Sequence, residues 1–247
     1  MSAGALAGRR ILVTRPRELA QGLAALIARA GGEPVLYPAL EIRDPEDAGA
    51  ARAALARLQE FDLAVFVSPS AVRKAFELLG TPWPTRVRAA ALGAGTRREL
   101  ETRGVASVIA SEDGADSDAL LALAPMRQLE AARVLILRGA GGRELIGETL
   151  AARGAQVSVV ECYRRARPAP GAAPAGALDA ACANSGETLD NLVALLGLAR
   201  LRDTPLFVPH ERVARIAREM GFTAVEVAGP GDAQMLARLL AYFGGAK

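Results

Sequence analysis

"DLAVFVSPSAV", Asp62 to Val72, sets the pattern from which the fold can be read. An apolar run, Leu63 to Val67, stops at Ser68-Pro69-Ser70, and a helical pattern then begins. That is a strand aimed at a helix N-terminus, with two hydroxyls at the junction. Helix N-termini attract anions, because their first N–H groups are unpaired and the dipole is positive there. The stretch therefore raises a question about a ligand as well as about a fold.

The same alternation runs through the chain. "RILVTR" (10–15), residues 87–92, residues 107–110, "RVLILRG" (133–139) and "QVSVVECYRR" (156–165) read as strands. "LAQGLAALIARAGG", Ala50–Glu60, Ser70–Leu79, Gly95–Arg103, Ser117–Ala124 and Arg143–Arg153 read as helices between them. "EPVLYPALEI" reads as one extended segment. Apolar strands separated by helices of this length predict an α/β fold of parallel sheets covered on both faces.

The opening stretch also has a twin, "DAACANSGETL", Asp179 to Leu189. Asp62 matches Asp179, Ser68 matches Ser185, Gly104 matches Gly221 and Val108 matches Val225, at one constant offset. "RILVTR" and "RVLILR" form a second pair at another constant offset, with Gly31 matching Gly154. The chain thus reads as a diverged duplication, X-Y-X′-Y′. Two similar lobes are expected, each a parallel sheet flanked by helices, with a ligand cleft between them. The Pro/Gly/Ala-rich break near Arg167–Gly176 and the stretch after "EIRDPED" mark two crossings, so one lobe is inserted into the other.

Composition narrows the function. The chain has 247 residues, 51% of them apolar, enough for one large core or two smaller ones. No apolar run approaches the ~20 residues that span a bilayer. "MSAGALAGRR" lacks the apolar centre of a secretion signal. Cys162 and Cys182 do not make a disulfide framework. A soluble cytoplasmic protein with reduced thiols is expected. Net charge is +3, and Lys74 and Lys247 are the only lysines. Arginine suits carboxylates and phosphates through its planar fork, although a bias in codon usage would also enrich it. No dense basic run and only 4% aromatics argue against nucleic acid.

The glycine pairs Gly93/Gly95, Gly139/Gly141 and Gly229/Gly231 each follow a strand. Each lacks the third glycine of a dinucleotide fingerprint, with Arg98, Glu144 and Gln234 in its place. They read either as tight turns or as bare N–H groups facing an anion, and Gly141 is the candidate in the richest turn, "LRGAGGRE". Arg138 ends a strand there, and Arg15 in "TRPRE" holds the equivalent place. Both sit where open α/β sheets gather ligands, though Glu144 and Glu18 could simply pair with them. His210 is the only histidine, so metal centres and histidine-activated nucleophiles have no support. His210 itself, at a strand end, reads as a ligand contact or a plain helix-start residue. Thr96 at a helix start reads first as a cap. Tyr163, closing "VVECY", reads as half-buried packing or as a proton donor where no histidine serves.

The order of "ILVTRP", "FVSPSAV", "ALGAGTRREL", "DSDALL", the block Val134–Arg165, "NSGETLDNL" and "LFVPHERVARIAREMGF" resembles the uroporphyrinogen-III synthase family over roughly Arg9 to Phe243. The resemblance implies two α/β lobes joined by a two-stranded connector. It places 1–38 with 170–247 in one lobe, 45–164 in the other, and 39–44 with 165–169 in the connector. X then pairs with Y′ and Y with X′, where the duplication alone suggests X with Y.

It also implies a cyclising lyase acting on hydroxymethylbilane, a linear tetrapyrrole with eight carboxylates. Hydroxide leaves ring A, ring D attacks through its substituted carbon, and a spiro intermediate recloses with ring D inverted. No cofactor is implied. The implied setting is a monomer that meets the upstream deaminase transiently. A tyrosine at the position of Tyr163 is the implied proton donor, and an unperturbed phenol, with a pKa of about 10, keeps its proton at neutral pH. Ser68, Ser70, Thr96 and Ser185 become candidate carboxylate contacts, with Arg15, Arg138, Gly141 and His210 added from their strand-end positions. His210-Glu211 stands where some members carry a threonine pair, and Glu211 is expected to point away from a polyanion. The competing reading is a non-catalytic tetrapyrrole- or anion-binding homologue of the same fold.

Overall fold

The computed structural model describes residues 4–111, 117–142 and 144–245. Arg143, expected to open a helix, and Asp116 of "DSDALL" lie outside them. In chain order the strands are β1 (Arg10–Val13), β2 (Glu33–Leu36), β3 (Glu41–Arg43), β4 (Leu63–Phe66), β5 (Arg88–Ala91), β6 (Val108–Ala110), β7 (Arg133–Gly139), β8 (Gln156–Ala166), β9 (Ala180–Cys182), β10 (Leu206–Val208) and β11 (Val225–Val227). The first helices are α1 (Arg17–Arg29), α2 (Ala48–Ala56), α3 (Pro69–Leu79), α4 (Ala94–Thr102), α5 (Ser117–Leu121) and α6 (Ala124–Arg127). Then come α7 (Leu145–Ala152), α8 (Gly186–Leu196), α9 (Leu198–Leu201), α10 (Glu211–Glu219) and α11 (Asp232–Gly244).

The strands form two sheets, ordered β11-β10-β9-β1-β2 and β3-β8-β7-β4-β5-β6. Their described ladders, β1–β2, β1–β9, β9–β10 and β10–β11 in one and β4–β5, β4–β7, β5–β6 and β7–β8 in the other, are parallel. The duplication is written in the registers. Ile11 stands opposite Ala180, and Val134 opposite Leu63. Ala181 stands opposite Leu206, and Ala64 opposite Ala89. Leu206 meets Val225 as Ala89 meets Val108, and Arg10 meets Glu33 as Arg133 meets Gln156. Each pair maps onto its twin at the repeat offsets, so β1 belongs with β9 and β7 with β4.

A matched pair of aspartates holds these central joints. The Asp62 carboxylate accepts the Arg133 backbone N–H at 2.8 Å, and the Asp179 carboxylate accepts that of Arg10 at 2.9 Å. Each acid lies just before one central strand and grips the first amide of its neighbour.

The cores follow from strands buried on both faces. In β4, Ala64 and Phe66 pack with α2, α3 and α4, whereas Leu63 and Val65 face α5, α6 and α7. In β1, Leu12 packs with α8, α9 and α10, whereas Ile11 and Val13 face α1 and α11. The chain divides into two compact units, residues 1–41 with 166–247 and residues 42–165.

Three elements differ from the sequence reading. "EPVLYPALEI" is two strands in different sheets, because Pro38 interrupts the ladder between them. The helix expected to reach Glu60 ends at Ala56, and residues 58–60 tighten into a 3₁₀ turn. The helix expected over 117–124 splits into α5 and α6.

Candidate active site

In a parallel sheet every strand delivers the chain to the same edge, and the helix N-termini gather there. In the unit of residues 42–165 that edge carries Ser68, Gly93, the turn Gly139–Gly142, and Tyr163. Ser68 is extended (φ −163°, ψ 160°) and its hydroxyl accepts the Ala71 N–H at 3.1 Å, so it is the N-cap of α3, with Pro69 next to it. Ser70, in the first turn, is buried, 5% exposed.

Tyr163 is 5% exposed, and its phenol lies 3.0 Å from the Ser68 hydroxyl. A register shift between Arg138 and Gly139 sets Tyr163 opposite Gly139. The Tyr163 carbonyl accepts the Ala140 N–H at 2.8 Å. The ring fills the space a side chain at Gly139 would need: a Cβ there would lie 2.6 Å from the ring's Cε2 and Cζ. Sequence reading singled out Ser68 and Tyr163 separately. It did not join them, nor mark Gly139 as the ring's seat, because contacts between residues this far apart in the chain leave no local pattern.

Thr96 is not the cap of α4. That place belongs to Gly93, whose φ of 82° favours glycine, while the Thr96 hydroxyl donates to the Leu92 carbonyl at 2.8 Å and is 1% exposed. Arg138 donates to the Gly142 carbonyl at 3.1 Å and pairs with Glu144 at 2.8 Å and Glu161 at 3.5 Å. The Arg138 hydrogen bond holds the Glu144 carboxyl below its usual range. Gly141 (φ 69°) gives its N–H to Glu161 at 3.3 Å.

The corresponding edge of the other unit carries Ser185, Arg15 and His210. Ser185 caps α8 as Ser68 caps α3 (φ −157°, ψ 164°, accepting the Thr188 N–H at 3.1 Å), and its hydroxyl meets that of Thr188 at 2.9 Å. Arg15 donates to the Asn184 side chain at 2.9 Å and pairs with Asp232. Neither partner was foreseen, as both come from distant elements. His210 is the exposed N-cap residue of α10, its side chain making no capping bond. Glu211 beside it pairs with Arg218 at 2.5 Å. Cys162 and Cys182 are buried, and burial pushes both thiols up to about 12, so neither is a thiolate at neutral pH.

The edge can therefore bind anions through capped helix N-termini and can present a phenol held against a helix N-terminus. A family model described as HEM4, Uroporphyrinogen-III synthase HemD, matches residues 21–237. The chain is 36% identical over 246 residues to a Salmonella typhimurium protein named uroporphyrinogen-III synthase, covering 93% of this chain and 99% of that one. Its identity to the Escherichia coli protein of the same name is 35% over 243 residues, with the same coverage. In fold it is similar to a solved uroporphyrinogen-III synthetase of Helicobacter pylori (TM-score 0.63, 14% identity, 95% of this chain and 99% of that one).

Proposed function

We infer the chemistry from one premise: this chain belongs to the uroporphyrinogen-III synthase family. It is a cyclising lyase of tetrapyrrole biosynthesis, converting hydroxymethylbilane into uroporphyrinogen III with loss of water and inversion of ring D.

The observation that carries the mechanism is the Tyr163 phenol, 3.0 Å from the cap hydroxyl of α3. Hydroxide is a poor leaving group, and a proton delivered as the C–O bond breaks turns it into water. Tyr163 supplies that proton. The resulting electrophilic methylene is attacked by ring D at its substituted carbon, and the spiro intermediate opens and recloses inverted. The remaining work is positional: holding a flexible chain so that inverted closure outruns the spontaneous closure that gives the type I isomer.

The substrate carboxylates suit helix N-termini: in one unit those of α3 and α4, whose caps and first turns hold Ser68, Ser70 and Thr96, and in the other that of α8, capped by Ser185. Arg15 and Arg138 stand at the same strand ends, and each would have to share its present carboxylate partner with a substrate group. His210 and Gly141 complete the proposed contacts. The enzyme works as a cytoplasmic monomer and takes its unstable substrate from the upstream deaminase. Among the described residues, no helix is long and apolar enough to cross a membrane.

A coupled assay from porphobilinogen, with isomers separated after oxidation, tests the reading. Type III product is expected in excess. Only type I product, at the rate seen without the protein, would overturn catalysis and leave a binding homologue.

A further inference from the structure

We propose that Ser68 is a positioning residue for Tyr163: its hydroxyl donates to the phenol oxygen and supports the charge that forms there when the phenol gives up its proton. The inference rests on the reading of Tyr163 as the proton donor and adds the group that makes it one.

A serine hydroxyl has one proton and two lone pairs. One lone pair of Ser68 is taken by the Ala71 N–H at 3.1 Å, and the phenol oxygen stands 3.0 Å away. If the phenol donated to Ser68, its proton would be spent inside the protein. With Ser68 donating, a chain runs from the Ala71 N–H through the Ser68 hydroxyl to the phenol. Each donor in such a chain polarises the next. The N-terminus of α3, with its positive dipole end, then stands behind the charge the phenol gains as its proton leaves. The ring is held in this line by Gly139, where a Cβ would meet it at 2.6 Å.

The internal duplication offers a contrast. Ser185 has the same extended backbone and the same 3.1 Å bond to an amide three residues on, yet its hydroxyl meets Thr188, within its own helix. Helix capping therefore accounts for both serines but not for the contact with Tyr163. That contact occurs in the unit that carries the proposed acid.

The test measures kcat and KM with hydroxymethylbilane for the wild type, Ser68→Ala, Ser68→Thr, Ser68→Asp, Tyr163→Phe and the double variant S68A/Y163F. Phenol ionisation is followed by ultraviolet difference titration, with Tyr163→Phe identifying the Tyr163 component. Ser68→Ala is expected to lower kcat about tenfold with little change in KM and to move the Tyr163 titration to higher pH by about one unit. Ser68→Thr keeps cap and donor and restores both. Ser68→Asp keeps the cap but can only accept, so it preserves the melting temperature while kcat stays at or below that of Ser68→Ala. In the Tyr163→Phe background, Ser68→Ala costs nothing more. Additive losses, an unmoved titration, or a raised KM at full kcat would each overturn the proposal. Full kcat in Tyr163→Phe would instead overturn the acid reading, and the titration alone would then decide the direction of the hydrogen bond.

Discussion

A missing methyl group at Gly139 decides where the Tyr163 ring lies. Alanine there would bring a Cβ to 2.6 Å from two ring atoms, so the ring must leave its place beside Ser68. Gly139→Ala is expected to lower turnover about ten- to a hundredfold, as small misplacements of reacting groups do, with the circular dichroism of the sheet unchanged. Full turnover in that variant would remove the ring's placement from the mechanism. Arg15 is a different case. It serves Asn184 and Asp232, and its side chain is 16% exposed. Arg15→Met should therefore cost stability, about 1–3 kcal/mol by urea denaturation, because two partly buried polar groups lose their partner. A loss of substrate affinity at unchanged stability would instead mark it as a pure binding residue. The strand-end position of Arg15 was readable from the repeat, whereas its partners come from the turn after β9 and from the start of α11 and could not be seen locally.

At the scale of elements, the paired aspartates do what the hydrogen-bond ladder alone does not: they pin the start of one central strand to its neighbour. Burial alone would raise the Asp179 carboxyl, but the Arg10 amide and the Arg9 guanidinium outweigh it and hold the acid below the ordinary aspartate value of 3.8. A carboxylate with a depressed folded pKa stabilises the fold above its unfolded pKa, and the contribution fades as pH falls through the folded value. Asp179→Asn should thus be less stable than the wild type at pH 7, by about 1–2 kcal/mol, and the gap should close as pH drops below 3.8. A gap independent of pH would mean that shape, not charge, is at work. Sequence reading recovered the alternation of strand and helix because apolar runs such as Leu63–Phe66 are buried on both faces and show no competing period. It missed the division of "EPVLYPALEI" because both pieces are extended, and only the choice of sheet separates them.

Across the whole chain, the two offsets seen in the sequence return as matched registers in two sheets, so the repeat was legible to the residue. The pairing of X with Y′ was not legible from the repeat, since either arrangement satisfies the same local patterns. It needed the resemblance to a family, and here β1–β9 and β4–β7 carry it. Residues 42–165 are continuous and contain β4 to β7, with all of β3 but Glu41 and all of β8 but Ala166, and helices on both faces of the sheet. Expressed alone, that segment should unfold in one cooperative transition. Residues 1–41 alone should not fold, because β1 lacks its central partner. A non-cooperative 42–165 fragment would show that the unit depends on the rest of the chain.

The same placement of β1 imposes an order on synthesis. When the ribosome has extruded β1 and β2, the strand that pairs with the other edge of β1, β9, is still untranslated, and everything from Ile42 to Arg165 must be made first. At translation speeds of roughly 5–20 residues per second, the nascent β1–β2 pair waits roughly 7 to 30 seconds with an open strand edge. The arrival of the later half of the molecule thus ends the exposure of the first strands to chaperones and neighbouring nascent chains.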